Sequence, residues 1–211
     1  MMEGMSDPSR RPIGRPRRSS AEMLADAAAE LFLENGWSGT TVDQIAQRAG
    51  VSRGTFFNYF DSKADLFWLD LDVSLAGLGE LLRASSGSPP VRSVEAALVA
   101  VGRAHDPARV PWALTQSEAM GLGDELVASA AVRVVRLQSV VAAHLAEASG
   151  GRRGELDHEV AAASLVAAAV AAITHWARSG VGRRPLGDVM ADALGPVADG
   201  LDAVARPSTA S

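Results

Sequence analysis

Ser52 to Tyr59, SRGTFFNY, sets short, polar and hydrogen-bonding side chains at helical spacing. Wound as a helix, the segment turns Phe56 and Phe60 inward and shows Ser52, Arg53, Gly54, Thr55, Asn58 and Tyr59 on its outer face. Such a face suits the edge of a nucleic acid. Arginine grips guanine O6 and N7 with two hydrogen bonds, threonine touches a thymine methyl or a phosphate, and glycine lets a helix start approach a duplex closely. Just before it, VDQIAQRAGV supplies what a helix-turn-helix requires: Ala46 small at the crossing, Gly50 for the turn, and Ile45 and Val51 to lock the pair with Phe56. A plain helical hairpin that binds nothing shares the A-x-x-x-G join, so spacing alone leaves both readings open.

Other chemistry is sparse. With no cysteine in 211 residues, a disulfide framework, a thiolate metal site and a cysteine nucleophile are excluded. His105-Asp106 and Asp157-His158-Glu159 lack the H-E-x-x-H spacing that sets two ligands on one helix face, and they read as polar residues at helix ends. Walker, dinucleotide and G-x-S-x-G fingerprints are missing as well. No catalytic residue, metal or cofactor is therefore expected, and a helical small-molecule enzyme or carrier stands as the alternative from a different class.

Charge divides the chain unevenly. The net charge is −5, yet Arg10, Arg11, Arg15, Arg17 and Arg18 fall within nine residues that hold no acid. From Ala64 onward seventeen acids face twelve bases, whereas residues 1–63 carry eight of each. A basic arm ahead of a neutral module and an acidic remainder suggests a polyanion-binding end and a different task for the rest. The opening MMEGMSDPSRRPIGRPRRSS has no apolar stretch behind its arginines, so it does not read as a secretory signal, and a cytoplasmic protein is expected. Val160 to Ala177 is uncharged apart from His175, but half of it is alanine, and it reads as a helix buried in protein rather than in a membrane.

The elements that must position these residues are all helical. Ala21, Leu24, Ala25, Ala28, Leu31 and Phe32 form one apolar face after a capping box of Ser19 and Glu22, and Gly36 ends the helix. Thr41 with Gln44 opens a second helix that stops at Gly50, and Ser52 caps the third. Ser62 with Asp65 predicts a long fourth helix through Leu66, Leu69, Val73 and Leu81. Further helices are expected over Val91 to Ala104, around Trp112 to Met120, from Gly123 through Leu145, over the alanine-rich run, and from Pro185, with a kink at Pro196. The fold class is all-α.

The stretch TTVDQIAQRAGVSRGTFFNYFDSKADLF, Thr40 to Phe67, closely resembles the DNA-binding domain of the tetracycline-repressor-like (TetR) family. The match covers Ala21 to about Leu69, nearly a quarter of the chain. This resemblance implies that Thr41, Ser52, Thr55, Tyr59 and Lys63 contact phosphates and that Arg53, Gly54 and Asn58 face bases. Phe57 stands where many members have tyrosine, so no contact carries over to it. Physical reasoning agrees, since Thr41, Ser52 and Ser62 begin helices, whose N-termini attract anions. Lys63, the chain's one lysine, sits in a first turn where the helix dipole disfavours a cation, which suits a place opposite a phosphate. In the arm, Gly14-Arg15-Pro16-Arg17 resembles the core of an AT-hook, placing Arg15 and Arg17 in a minor groove or, more diffusely, along phosphates.

These readings divide the chain into a basic flexible arm (1–18), a three-helix helix-turn-helix DNA-binding domain (19–66), a helical ligand-binding and dimerisation domain (67–206) and a tail (207–211). The resemblance implies a homodimer through the last two helices, which are apolar over more than one face, and a C2 dimer lets two recognition helices read a palindromic operator. It also implies a repressor released by a small-molecule effector; promoter geometry alone separates that from an activator. A pocket for an apolar or amphipathic effector is expected among Phe67, Trp68, Trp112, Met120 and Trp176, with Gln116, His144, Thr174 and His175 as polar contacts. The FFNYF segment, Trp68 and Pro111-Trp112 resemble a family subset that includes acyl-coenzyme-A-responsive regulators.

Overall fold

Local signals set the first three helices. The computed structural model describes residues 20–85, 87–106, 110, 123–180 and 182–205, and these contain helices without a β-strand. Helix α1 (Ser20–Asn35) buries Leu24, Ala27, Ala28, Leu31 and Phe32, the apolar face its spacing predicts. Thr41 caps α2 (Val42–Arg48), with Gln44 returning a hydrogen bond to the cap backbone as the capping box requires. At its other end Gly50, at φ +71°, lets Gly50 N bond Gln47 O and Val51 N bond Ala46 O, so the chain turns sharply into α3 (Arg53–Phe57). Ser52 caps α3 by accepting from Thr55 N at 3.0 Å.

The expected long fourth helix is broken. Lys63–Trp68 winds as a 3-10 turn, followed by α4 (Leu69–Ala76) and α5 (Leu78–Ala84). Leu66, Phe67 and Trp68 are all buried, and three consecutive side chains at 100° intervals do not share one α-helical face. The second break falls at Gly77, where Gly77 and Gly79 each cost the helix about 1 kcal/mol relative to alanine.

The C-terminal side is built from α6 (Pro90–Ala104), α7 (Gly123–Ser149), α8 (Leu156–Arg178) and α9 (Leu186–Ala205). Its core centres on Leu98, Val141, Leu145, Leu165, Val166, Trp176, Met190 and Leu194. Helices α6 and α9 meet at two glycines: a Cβ on Gly102 would lie 3.1 Å from Gly187 Cα. Helix α9 carries Pro196 in its interior and continues through it. By length and composition alone α7 and α8 could each cross a membrane, but α8 buries Ala162, Leu165, Val166, Ala169 and Trp176 against its neighbours. The expected helix around Trp112 to Met120 lies outside the described residues, as do Ser19, Arg15 and Arg17.

Candidate nucleic-acid interface

The N-terminal module is locked by aromatic rings. Phe32, Trp37 and Phe67 lie with centroids 5.2 to 5.4 Å apart, and Phe56, fully buried, packs against Phe60 at 5.5 Å. This corrects the placement of Phe67 in the ligand pocket: Phe32, stacked on it, and the tilted Trp37 ring hold it in the N-terminal core. The core extends through Trp68 and takes in Leu126 from α7. Arg48 adds a clamp from α2 to Glu30 and Glu34 of α1, at 3.1 and 2.8 Å, and these hydrogen bonds hold the Glu34 carboxyl below its ordinary range.

On this scaffold the outer edge of α3 faces solvent. Thr41, Ser52, Arg53, Gly54, Asn58 and Tyr59 are exposed and Thr55 is half-buried. Arg53 pairs with Asp43 at 2.8 Å, both side chains more than half exposed, and its guanidinium lies 5.3 Å from the Phe57 ring. Phe57 is 45% exposed, so it does more than pack: it is a platform for Arg53. An exposed pair of this kind contributes less than about 1 kcal/mol, so the guanidinium is free to exchange Asp43 for a base edge.

Lys63 has a position the sequence did not suggest. Its Nζ donates to Trp37 O and Thr40 O, both at 2.7 Å, and stands 3.9 Å from the Trp37 ring centroid. Burial holds the ammonium below the ordinary lysine value, with the charge of Glu125 working the other way. Lys63 is thus partnered within the chain, where the sequence suggested a cation opposite a phosphate. It braces the turn between α1 and α2, because two carbonyls satisfy it better than solvent at a half-buried site.

Behind this module, between α4, α6, α7, α8 and α9, lies a cavity of about 220 Å³. Trp68 and Thr174 line it, together with Leu98, Leu137, Ile173, Met190, Ser74, His105 and Arg133. Trp112, Gln116 and Met120 lie outside the described residues. His144 is elsewhere: its Nε2 lies 2.7 Å from Ser93 Oγ, and burial lowers its pKa against the opposing charge of Glu147. His175 and Trp176 instead line a separate cleft between α8 and the start of α9. Trp176 is 1% exposed, donates to Arg184 O at 2.9 Å and meets His105 edge-on at 5.5 Å, which places it one residue behind the cavity wall.

His105, read from sequence as a helix-end polar residue, is buried and bonds Ser74 at 2.9 Å. Arg133 was missed outright. It sits on the stripe Leu126, Ala130, Leu137 of α7, and a lone arginine at apolar spacing was the available signal. Its Nη1 donates to Asp65 at 2.9 Å and its Nη2 to Asp72 at 2.7 Å. Burial alone would raise the Asp65 carboxyl, but hydrogen bonds from Ser62, Arg133 and Ser129 outweigh it and hold the group below the ordinary aspartate range.

Residues 24–68 match the bacterial regulatory proteins of the tetR family, and residues 88–202 match the MftR C-terminal domain. A Mycobacterium tuberculosis protein named as a candidate mycofactocin biosynthesis transcriptional regulator, MftR, is 28% identical over 166 residues, covering 79% of this chain and 84% of its own. Among solved structures, Thermus thermophilus FadR, a TetR family transcriptional repressor in complex with lauroyl-CoA, is similar with a TM-score of 0.56 at 27% identity. That likeness covers 90% of this chain and 98% of FadR. Pseudomonas aeruginosa NalD, secondary repressor of the MexAB-OprM multidrug efflux pump, shares the fold with a TM-score of 0.54 at 24% identity, over 86% of this chain and 96% of its own. The aromatic-locked helix-turn-helix, the exposed edge of α3 and the helical domain behind it have one reading with these matches: the chain belongs to the tetR family and is a DNA-binding transcriptional regulator.

Proposed function

We propose that the chain is a cytoplasmic, homodimeric repressor that binds a palindromic operator and leaves it when an apolar or amphipathic effector enters the cavity behind α4. The observation that carries this reading is the solvent-facing edge of α3, with Arg53 held only by an exposed partner. On this reading Arg53, Gly54 and Asn58 meet bases, and Thr41, Ser52, Thr55 and Tyr59 meet phosphates. Residues 1–18 follow the duplex, with Arg15 and Arg17 along phosphates or in the minor groove; 19–66 read the operator, 67–206 take effector and partner, and 207–211 form a tail. Exposed Val160 and Ala167 on α8, with half-buried Val189, Ala193 and Val197 on α9, leave apolar surface on both helices that supports dimerisation through them. The lauroyl-CoA complex of the FadR repressor supports effector-released repression over activation, and binding rather than catalysis.

Duplexes selected from genomic fragments by the purified chain test it. Arg53→Ala should cost about 1 to 3 kcal/mol on the selected duplex and much less on random DNA. Equal losses on both would make Arg53 a phosphate contact, and failure to select any duplex would overturn operator binding.

A further inference from the structure

One wall of the cavity carries a buried donor in want of an acceptor. Trp68 is 5% exposed, and its indole Nε1 is buried without a hydrogen-bond partner, a costly condition for an N–H group. Arg133 lies 5.5 Å from the centroid of that ring and is the one permanently charged residue among the described lining. The rest of the described wall is mainly aliphatic, with Ser74, His105 and Thr174 as its other polar groups.

The guanidinium is shared with two carboxylates that line the outer cleft beside α7 and not the cavity. They are not equivalent. Asp65 is 15% exposed and also accepts from Ser62 N, Ser62 Oγ and Ser129 Oγ at 2.7 to 3.0 Å. Asp72 is 42% exposed and binds Arg133 Nε and Nη2, so water can solvate it once it lets go.

Resting on the reading of this cavity as the effector site, we propose that its ligand is an amphiphile with a carboxylate head. The head accepts from Trp68 Nε1 and Arg133 and displaces Asp72 from the guanidinium, while the tail fills the apolar remainder. A neutral tail alone would leave Nε1 unpaired, and a cation would be repelled by the Arg133 guanidinium. Asp72 belongs to α4, the first helix after the 3-10 turn, so the exchange unties α4 from α7.

Calorimetric titration of the full chain with octanoate, octanol and octylammonium tests the assignment. Octanoate should bind at least about tenfold more tightly than octanol, the ratio that a charge-assisted hydrogen bond supplies, and octylammonium should bind weakest. Asp72→Asn removes the competitor and keeps Arg133, so octanoate affinity should rise several-fold while that for octanol stays. Arg133→Gln should erase the preference; because it strands two carboxylates, the Asp72→Asn chain carries the test independently. Equal affinity for octanoate and octanol, tighter octylammonium, or an octanoate affinity unmoved by Asp72→Asn overturns the carboxylate assignment and leaves the cavity to other ligands. Binding of none of the three overturns the effector-cavity reading and the assignment with it.

Discussion

Replacing Lys63 by methionine keeps much of the side chain's length and apolar stem and removes its charge. Two hydrogen bonds of 2.7 Å, to Trp37 O and Thr40 O, are lost together with the cation over the Trp37 ring. A hydrogen bond from a charged donor is worth about 1.5 to 3 kcal/mol, but this site is half-buried and water recovers part of what the freed carbonyls lose. Trp37 O also keeps its bond from Thr40 N, so one of the two carbonyls is not orphaned. A net loss of about 2 kcal/mol follows, equivalent to a fall of about 4 to 8 °C in Tm for a chain of this size. Thermal unfolding measures that term, and a salt titration of binding to a selected duplex measures the other. A phosphate anchor would leave Tm unchanged and flatten the salt slope by about one unit on substitution. The brace predicts the opposite pair of results. An unchanged Tm with a flattened slope would refute the structural role and return Lys63 to the interface.

Three further outcomes are expected. Burial lowers the His144 pKa, so between that value and about 6.5 the unfolded chain binds more protons than the folded one; stability should fall as pH drops through this window, and His144→Gln should lessen the fall in denaturation midpoint between about pH 7.5 and about pH 5.5. Asp65, with its carboxyl held low, contributes stability that is present above the ordinary aspartate value and lost as pH falls through its folded value; Asp65→Asn should shrink the acid-induced loss seen by circular dichroism. A Cβ on Gly187 would come within 2.9 Å of Arg103 N, so Gly187→Ala should cost about 1 to 3 kcal/mol in denaturant unfolding by forcing α6 and α9 apart.

What the sequence made legible was local. Thr41 and Gln44 are three residues apart, and the Gly50 turn closes bonds within five residues, so the helix-turn-helix could be built from neighbours in the chain. The fourth helix failed because its governing interactions are distant: Asp65 meets Ser129 and Arg133, and Phe67 stacks on Phe32 and packs against Trp37. Periodicity identifies an apolar face but not the element that covers it. For the same reason the pocket was read partly from the wrong rings. Trp176 is spent on Arg184 O, and His144 on Ser93, partners that no spacing rule reports. Arg133 and His105 could have been found as polar residues interrupting apolar stripes, a signal independent of long-range pairing.

With the proposed effector in this cavity, the route to DNA is short because one helix, α7, serves both. Along α7, Leu126 seats in the N-terminal core, Ser129 and Arg133 bind Asp65, and Arg133, Val134 and Leu137 line the cavity. Leu126 to Leu137 spans about 16 Å of helix at 1.5 Å per residue, little more than three turns. A rigid element of that length transmits a shift at one end to the other without a chain of intermediates. A ligand nevertheless moves the equilibrium only by its difference in affinity between the two arrangements, so a tight fit that left Arg133, Asp65 and Asp72 unchanged would release nothing. Polar contacts that differ between the two arrangements therefore matter more to regulation than the volume the tail fills. Arg133 is the residue in this chain placed to carry such a difference, because the wall of the cavity and the foot of the DNA-reading module share its guanidinium.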